Sequence, residues 1–547
     1  MPDKRPAADV GVPAPSHKRR MSSPSDTAAS VVAARGGKET DQPNSSSSSS
    51  SNPGILASLQ HPLRKTGGEG VTSQSPFTHP PAFQQPQPLC SFSFDRDRKQ
   101  WHDDRSKKYY RGPPPYMHAH PKLDRARPVF GADLNYGLDR YRQRDESVPE
   151  HLDALVASLQ HRTESAKSVS ERQDVDRERR RADVVTWRGM VTKICTAYDQ
   201  DPNARIQDPF HLNAMLVDGT LYLEEHTSES SRREKTAKEA DPQMKRFGYY
   251  GYSFESYCTV DEPDQISLPF DHPATLGSPG APPGWSGDVD TNVQWCQVVK
   301  TKLGCNRLVI GGEVDAAAFR PHSSSPAEHL VELKTSMSIT PYTRNAARSI
   351  SDQERFEKKL LKFFLQSYLL GISSIVVGFR DHHGLLTMHQ EFETLKIPRM
   401  VRAGLPIPGQ FDSRNQPVIR QTSVWEPKDS LGFADQILSF VRHAVSRHTL
   451  SVLSASQAKT KPSDPVNDNP DTDCTPTLPL ADEAVQRYPV YRISFQHPFE
   501  RLEIRSLTDS EIHHDVKNSG TSGERVGFLP RRFYEFVHLQ ASASAPA

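Results

Sequence analysis

Two short acidic motifs lie near each other in the middle of the 547-residue chain. The first places Glu313 and Asp315 two positions apart, and the second places Glu332 and Lys334 two positions apart. Both follow apolar runs typical of strands, so each pair shares one face of its strand. Carboxylates without clustered cysteine or histidine are typical ligands of Mg²⁺ or Mn²⁺. With one lysine beside them, they have the composition that metal-dependent hydrolysis of a phosphodiester requires.

The segment between the motifs favours a hairpin, because it contains two prolines and three consecutive serines. If the strands pair symmetrically about residues 323 and 324, Asp315 lies opposite Glu332 and Glu313 opposite Lys334. Carboxylates that face each other on a half-buried sheet destabilise it unless they are protonated or neutralised by a cation. The apolar flanks therefore favour a metal site over the alternative, a solvent-exposed hairpin held by ion pairs.

Two further residues are candidates for the same site. Glu255 closes an aromatic segment that follows Gly248. We predict that this segment is a strand, because glycine there allows a close backbone approach. Glu255 then either joins the acids or lies at the rim. Arg188 has the planar donors that bind phosphate in two places, and a structural ion pair is its alternative role.

The clearest helix is predicted over residues 351–371, where apolar residues recur at helical spacing. Its opposite face carries a polar stripe that meets either substrate phosphates or solvent. The stripe consists of Arg355, Lys359, Lys362 and Gln366.

Other elements are weaker. Short strands and loops are expected over residues 184–333, with a long loop at 262–287. Strands are also predicted at 90–94, 375–379, 488–495 and 501–507, and amphipathic helices at 148–159 and 431–443. Together these elements indicate one large α+β core.

The composition excludes several classes of protein. Apolar residues make up 35% of the chain and 45 residues are proline, so part of the chain cannot form a core. Lys and Arg total 68 against 67 Asp and Glu, which excludes a polycation that coats nucleic acid. The six cysteines form no CxxC pair, which disfavours a disulfide framework. We expect a soluble intracellular protein without a secretory signal or membrane span.

Composition also predicts the domain organisation. Residues 1–88 are rich in serine and proline and are predicted to form a disordered tail. Basic clusters at residues 4–5 and 18–20 favour a nuclear import signal over a merely solvated tail. Residues 89–545 are predicted to form the folded domain, interrupted by a disordered insertion at 452–484.

Basic and aromatic residues are interleaved between residues 94 and 143. Such a segment either stacks on single-stranded RNA or is an irregular structural segment with solvated arginines. The second interpretation is favoured, because charge runs usually lie at the surface.

Taken in order, the motifs resemble the DXO-like decapping nuclease family, whose fungal nuclear member accompanies the nuclear 5′→3′ exoribonuclease. The resemblance runs from about residue 89 to residue 536. The motifs that carry it are Thr186-Trp187-Arg188-Gly189, Gly251-Tyr252-Ser253-Phe254-Glu255, Gly312-Glu313-Val314-Asp315, Glu332-Leu333-Lys334, Leu360-Leu361-Lys362-Phe363-Phe364-Leu365-Gln366-Ser367 and Arg525-Val526-Gly527-Phe528-Leu529-Pro530.

The resemblance implies a fold of two β-sheets flanked by helices, related to the PD-(D/E)xK nuclease core. It also implies a divalent metal site for Mg²⁺ or Mn²⁺, with two ions expected. The implied ligands are Glu255, Asp315, Glu332 and the Leu333 carbonyl, with Glu313 contributing directly or through water.

The resemblance implies hydrolysis at RNA 5′ ends. Lys334 and Gln366 would position the attacking water, with Glu313 assisting, and Arg188 and Glu255 would bind the RNA 5′ end. Members of the family act on 5′-triphosphate ends, incompletely methylated caps and NAD caps in RNA 5′-end quality control, and some degrade RNA 5′→3′. The implied partners are a single-stranded RNA 5′ end and the nuclear 5′→3′ exoribonuclease, and the implied location is the nucleus.

Two rival functions stay open. The first is a non-catalytic partner that stabilises the exoribonuclease and keeps the acidic hairpin as a relic. The intact set of acids disfavours it, because mutually repelling carboxylates are costly without chemistry. The second is a DNA endonuclease, which would cut circular or 5′-blocked substrates.

Overall fold

The computed structural model describes the greater part of the chain after residue 53. The described residues are 54–62, 75–115, 132–200, 202–203, 207–318, 329–341, 344–402, 406–411, 413–414, 416–419, 424–460, 478–517 and 524–543. All of them belong to one compact unit, Asn52–Ala547.

The strands of this part of the chain are short and numerous. In chain order they are β1 (Ile55–Gln60), β2 (Phe83–Phe94), β3 (Gln100–Trp101), β4 (Tyr109–Tyr110), β5 (Val184–Trp187), β6 (Phe210–Val217), β7 (Thr220–Glu225), β8 (Thr259–Val260), β9 (Gln294–Leu303), β10 (Asn306–Glu313), β11 (Ala316–Ala318), β12 (His329–Met337), β13 (Ser374–Arg380), β14 (Leu386–Glu393), β15 (Pro406–Phe411), β16 (Pro417–Ile419), β17 (Tyr491–Phe495), β18 (Arg501–Ser506), β19 (Arg525–Val526) and β20 (Leu529–Pro530).

The α-helices vary more in length. They are α1 (Asp153–Glu164), α2 (Val169–Arg180), α3 (Arg188–Thr196), α4 (Glu229–Ala240), α5 (Pro242–Cys258), α6 (Ala346–Leu370), α7 (Ile397–Arg402), α8 (Pro427–Thr460), α9 (Ala481–Gln486), α10 (Asp509–Glu511) and α11 (Arg531–Ala543).

Two large sheets organise the fold. One has ten strands in the order β1-β18-β17-β6-β7-β5-β10-β9-β2-β3, and the other has six in the order β14-β13-β12-β11-β4-β8. Antiparallel pairs dominate, but β5 runs parallel to both its neighbours and β12 runs parallel to β13. The predicted α+β class, with two sheets flanked by helices, is confirmed.

Three hydrophobic clusters hold the sheets and helices together. The largest contains residues of both sheets, such as Ile310 and Ile375, together with residues of α3, α6 and α8. A second lies against the ten-stranded sheet with α1 and α11, and a third joins α5 to the six-stranded sheet. The shared cluster fixes one sheet relative to the other and so positions the chain that passes between them.

Helix α6 confirms the predicted helix at 351–371, although it begins earlier. Asn345 caps it by accepting a 3.0 Å hydrogen bond from the Arg348 backbone N–H. It ends at Gly371, whose φ of 75° is a left-handed conformation that glycine adopts without strain. Leu360 and Phe364 are buried, and each such side chain contributes about 2 kcal/mol to the core.

The predicted domain boundaries need correction at two places. Residues 55–60, inside the predicted tail, form an edge strand that pairs with β18, because alternating apolar residues find a partner strand there. The tail before residue 54, including both basic clusters, lies outside the described residues. In the predicted insertion, α8 continues to Thr460 and Ala484 of α9 is buried. Residues 461–477 lie outside the described residues.

The remaining element predictions are largely confirmed. Strands occur at the places predicted by periodicity, within β2, β13, β17 and β18, and helices α1 and α8 overlap the predicted amphipathic segments. The expectation of strands and loops throughout residues 184–333 is wrong, because α3, α4 and α5 lie there.

Candidate active site

The first acidic motif lies where the chain passes from one sheet to the other. Glu313 is the last residue of β10 in the ten-stranded sheet, and β11 of the six-stranded sheet begins at Ala316. Between them, the Val314 N–H donates a 3.0 Å hydrogen bond to the Trp295 carbonyl. Asp315 therefore occupies the crossing point between the sheets.

The second motif is brought beside Asp315 by the predicted register. Ala316 pairs with Val331 in the antiparallel β11–β12 ladder, as the symmetric hairpin requires. The Leu333 N–H donates a 2.7 Å hydrogen bond to Asp315 Oδ2. The predicted pairing of Glu313 with Lys334 is wrong: Glu313 pairs with Cys296 in the other sheet, because the chain changes sheets after β10.

Glu255 reaches the site from a helix, which corrects the predicted strand. Asp241 caps α5 through the Gln243 N–H, and proline occupies the first turn. These capping residues are the signal that could have identified the helix. A Cβ atom at Gly378 of β13 would lie 2.6 Å from the Phe254 ring, so glycine there lets α5 approach the sheet that carries Lys334.

Two basic side chains pair with these acids. Lys334 Nζ lies 2.7 Å from Glu332 Oε1 and 3.4 Å from Asp315 Oδ2. Arg188, the first residue of α3, donates to Glu332 Oε2 and to the Glu313 carbonyl at 3.3 Å each. Glu332 is 1% exposed, so its ion pairs are well shielded from water. One lysine and one arginine thus face four carboxylates.

The electrostatics of the acids differ. Burial, followed by repulsion from Asp315, raises the pKa of Glu313 to about 7 and holds that of Glu255 well above its ordinary range. Burial likewise raises the pKa of Asp315. Burial alone would raise the pKa of Glu332, yet Lys334 and Arg188 lower it below its usual value. The cluster therefore has more carboxyl groups than its two basic residues can neutralise, so the remaining ones favour a bound proton or a cation.

The residues fit a hard divalent cation, although they are not gathered round one point. Within the described ranges, no three His, Cys, Asp or Glu side chains form a preformed metal cage. Glu332 and Asp315 are instead directed towards the ammonium of Lys334. The carboxylates outnumber the basic residues and supply the oxygen donors that Mg²⁺ and Mn²⁺ prefer.

Gln366 lies on α6, the helix that packs against the first acidic motif. Its side chain is half-buried, one helical turn before Leu370. A Cβ atom at Gly312 would lie 2.7 Å from Leu370 and 3.2 Å from Arg188 Cβ, so α6 packs directly on the first acidic motif. Lys359 and Lys362 of the predicted stripe are both exposed, and Lys359 donates a 2.8 Å hydrogen bond to the Thr335 carbonyl.

Sequence reasoning missed two polar residues near the acids. Gln294 of β9 donates a 2.8 Å hydrogen bond to Glu313 Oε2. Arg380, at the end of β13, lies 4.5 Å from the Tyr250 ring centroid, and burial, Arg380 and Lys334 together lower the pKa of Lys359 to about 8. Their roles depend on which strands are neighbours, and their own sequence contexts carry no signal for it.

Some of the described basic and aromatic residues between 94 and 143 contact one another. Arg98 lies 3.6 Å from the Phe94 ring centroid, and Arg105 lies 3.6 Å from that of Trp101. These contacts agree with the structural interpretation. None of the helices in the described ranges combines the length and hydropathy needed to cross a membrane.

A family model described as RAI1 like PD-(D/E)XK nuclease matches residues 84–534. Decapping nuclease RAI1 of Mycosarcoma maydis is 59% identical over 494 residues, covering 90% of this chain and 94% of that protein. Candida albicans Rai1 in complex with pU5-Mn²⁺ shares the fold with a TM-score of 0.55 at 20% identity, over 88% of this chain and 100% of that one.

Scheffersomyces stipitis Rai1 in complex with (3′-NADP)⁺ and calcium ion gives a TM-score of 0.54 at 20% identity, over 85% of this chain and 97% of that one. At these identities the two solved structures are evidence of a shared fold. The extent of the family match and the 59% identity to the Mycosarcoma maydis protein confirm the resemblance found in the motifs. The chain belongs to the RAI1-like PD-(D/E)XK nuclease family.

Proposed function

We propose that this protein is a metal-dependent decapping nuclease and pyrophosphohydrolase that acts on RNA 5′ ends. Membership of the family and 59% identity to a decapping nuclease make the chain a hydrolase of RNA 5′ ends. The proposal adds the metal, the residues and the substrates. It rests on one observation: an acidic cluster at the crossing between the sheets has more carboxylates than basic partners, and three of the four have raised pKa values.

The proposed metal ligands are the carboxylates and one carbonyl. Glu255, Glu313, Asp315, Glu332 and the Leu333 carbonyl would hold Mg²⁺ or Mn²⁺, with two ions expected. When bound, the metal would supply Lewis acidity towards the scissile phosphate. Supporting this choice are the oxygen donors and the surplus charge of the cluster. Candida albicans Rai1, which shares the fold, is in complex with pU5-Mn²⁺ in its crystal structure.

The basic and amide side chains have complementary roles. Lys334, held between Asp315 and Glu332 by ion pairs, would orient the attacking water and balance charge that develops on the phosphate. Gln366 would hold the same water from α6. Arg188 lies 3.3 Å from Glu332 and would use its remaining donors for the terminal phosphate of the RNA.

The proposed substrates are 5′-triphosphate RNA, incompletely methylated caps and NAD caps, with single-stranded RNA continuing along the polar face of α6. The NAD cap is supported by the complex of Scheffersomyces stipitis Rai1 with (3′-NADP)⁺. Lys359, in the middle of α6, would supply positive charge for phosphates that follow the first. Weak sequence preference is expected, because backbone charge and stacking would dominate.

The test uses RNAs that differ only at the 5′ terminus. Purified full-length protein is incubated with triphosphate, monophosphate, unmethylated-cap and NAD-capped RNAs and with a circular RNA, and the released species are identified by mass spectrometry. We expect end-dependent release that requires Mg²⁺ or Mn²⁺ and is lost in Asp315→Ala and Glu332→Ala, both still folded by circular dichroism. Cleavage of the circle would instead indicate an endonuclease, and no hydrolysis with either metal would refute the proposal.

Location and partner are part of the same proposal. The protein would act in the nucleus beside the nuclear 5′→3′ exoribonuclease, which would degrade the RNA left after decapping. Support comes from the basic clusters at residues 4–5 and 18–20 of the sequence. Replacing both clusters with alanine should exclude a fluorescent fusion from the nucleus. Unchanged nuclear accumulation would argue against the import signal.

A further inference from the structure

Glu313 has a neighbour that leaves its carboxylate little freedom. Gln294 Nε2 donates to Glu313 Oε2 at 2.8 Å across the β9–β10 region. The amide of glutamine has a donor end and an acceptor end, so its effect on a carboxylate depends on which end faces it. The Glu313 carboxylate is attracted to the Gln294 amide only when the NH₂ group faces it.

That orientation is set by Arg98. The guanidinium of Arg98 donates to Gln294 Oε1 at 2.6 Å, and a guanidinium has no acceptor. The amide oxygen of Gln294 must therefore face Arg98, which turns the NH₂ group towards Glu313. A second donation from Arg98, to the Asn292 carbonyl at 2.9 Å, fixes the guanidinium on the same strand region.

Arg98 is itself held from three sides. It makes a two-point contact with Glu150, at 2.6 Å and 2.8 Å, and its guanidinium lies over the Phe94 ring. Its backbone φ of 60° lies in the left-handed region, which a residue with a Cβ adopts at a cost. The Arg98 side chain is 18% exposed and that of Glu150 is 41% exposed, so the contact with Gln294 is better shielded from water than the contact with Glu150.

We propose that Gln294 is a positioning residue for Glu313, and that Arg98, anchored by Glu150, sets the orientation of the Gln294 amide. This role rests on the proposed function, in which Glu313 belongs to the metal site. Hydrogen bonds that orient a ligand from outside typically change metal affinity or activity by 10–100-fold. Gln294 has no direct part in the reaction; it restricts one carboxylate of an otherwise repelling set to a single rotamer.

The experiment compares Gln294→Leu and Gln294→Met with wild-type full-length protein. Mn²⁺ affinity is measured by titration calorimetry and turnover with 5′-triphosphate RNA. Both variants should bind Mn²⁺ about 10–100-fold more weakly and lose turnover to a similar extent. Unfolding temperatures within the normal spread of surface variants would exclude a general folding defect.

A double-mutant cycle that combines a Gln294 variant with Arg98→Met tests whether Arg98 acts on Glu313 through Gln294. The methionine keeps an unbranched side chain over Phe94. If Arg98 acts through Gln294, the double variant binds Mn²⁺ no more weakly than the single variant that has the lower Mn²⁺ affinity. If the losses of Mn²⁺ affinity in the two single variants multiply in the double variant, Arg98 does not act through Gln294. The matched control is Arg307→Met, which breaks a two-point pair with Asp183 at the far end of β10 and should leave Mn²⁺ affinity unchanged.

The outcomes separate this role from the proposed function. Absence of Mn²⁺ binding by the wild-type chain would overturn both. If the wild-type protein binds Mn²⁺ and turns over RNA, and both Gln294 variants do so equally well, the positioning role alone is overturned. An equal loss in Arg307→Met would show that any lost ion pair weakens the site, which would also overturn it.

Discussion

Two buried polar clusters of the molecule differ in how completely their carboxylates are paired. In the cluster around Glu224, one carboxylate oxygen lies 2.6 Å from His151 Nδ1 and the other accepts a 2.7 Å hydrogen bond from Asn213. Arg492 donates at 2.8 Å to the Asn213 oxygen. A single acid there has a partner for each oxygen.

The acidic cluster at the crossing between the sheets has the opposite character. Four carboxylates share two basic residues, Lys334 and Arg188, whose ion pairs go to Glu332 and Asp315. A fully paired buried network stabilises one conformation, whereas an incompletely paired one costs free energy unless something else binds. The comparison indicates that the first cluster serves the fold and the second serves a ligand.

The largest expected effect is on catalysis by the acidic cluster. Asp315→Asn and Glu332→Gln should each lower turnover about 10³-fold, or about 4 kcal/mol in the barrier, because each removes a charged ligand. Turnover of 5′-triphosphate RNA at saturating Mn²⁺ is the measurement, with Asp183→Asn as the control. Near-normal turnover in either variant would contradict the assignment of these ligands.

A mutation in the paired cluster around Glu224 should instead lower the stability of the fold. Glu224→Leu leaves His151 and Asn213 without their carboxylate partner, and breaking such a buried pair costs about 3 kcal/mol. Chemical denaturation should show this loss, while Mn²⁺ affinity of the folded protein stays at the wild-type value. A large loss of affinity without a loss of stability would reverse the contrast between the clusters.

When metal is absent, the acids of the site also differ in how their ionisation changes the stability of the fold. In the unfolded chain a glutamate titrates near its ordinary value of 4.5, whereas burial and Asp315 raise the pKa of folded Glu313 to about 7. Between these values the folded protein holds the proton more tightly, so stability falls as pH rises through that window. Since burial and Asp315 hold the pKa of Glu255 high too, Glu255→Gln should raise stability more at pH 7 than at pH 5.

Glu332→Gln is the internal control for this pH effect. Lys334 and Arg188 lower the pKa of Glu332 despite its burial, so its ionised form is stabilising and its replacement should destabilise the metal-free protein. Denaturation in the presence of a chelator, at pH 5 and pH 7, measures both variants. Equal changes of the same sign would show that the four carboxylates are electrostatically equivalent, contrary to the expectation.

Part of the site could be predicted from the sequence, and the reason is local. Asp315 and Glu332 lie close together in the sequence, so strand alternation and a symmetric hairpin suffice to bring them together. Glu313 escaped the same reasoning because the chain changes sheets after it, and Glu255 because its glycine-containing aromatic segment suits a strand as well as a helix. Gln294 depends on the neighbouring strand, and pairing between strands is not encoded in either one alone.

The smallest expected effect comes from moving Glu255 without changing its charge. Gly378→Ala would bring a Cβ atom within 2.6 Å of the Phe254 ring and should push α5 outward, at a cost of about 1 kcal/mol. Gly248→Ala, on the exposed face of the same helix with no atom within 4 Å, should gain about 1 kcal/mol from helix propensity. If placement of Glu255 matters, Gly378→Ala also weakens Mn²⁺ binding while Gly248→Ala does not. Equal Mn²⁺ affinity in both variants would mean that the carboxylate reaches the site through side-chain flexibility, without a fixed helix position.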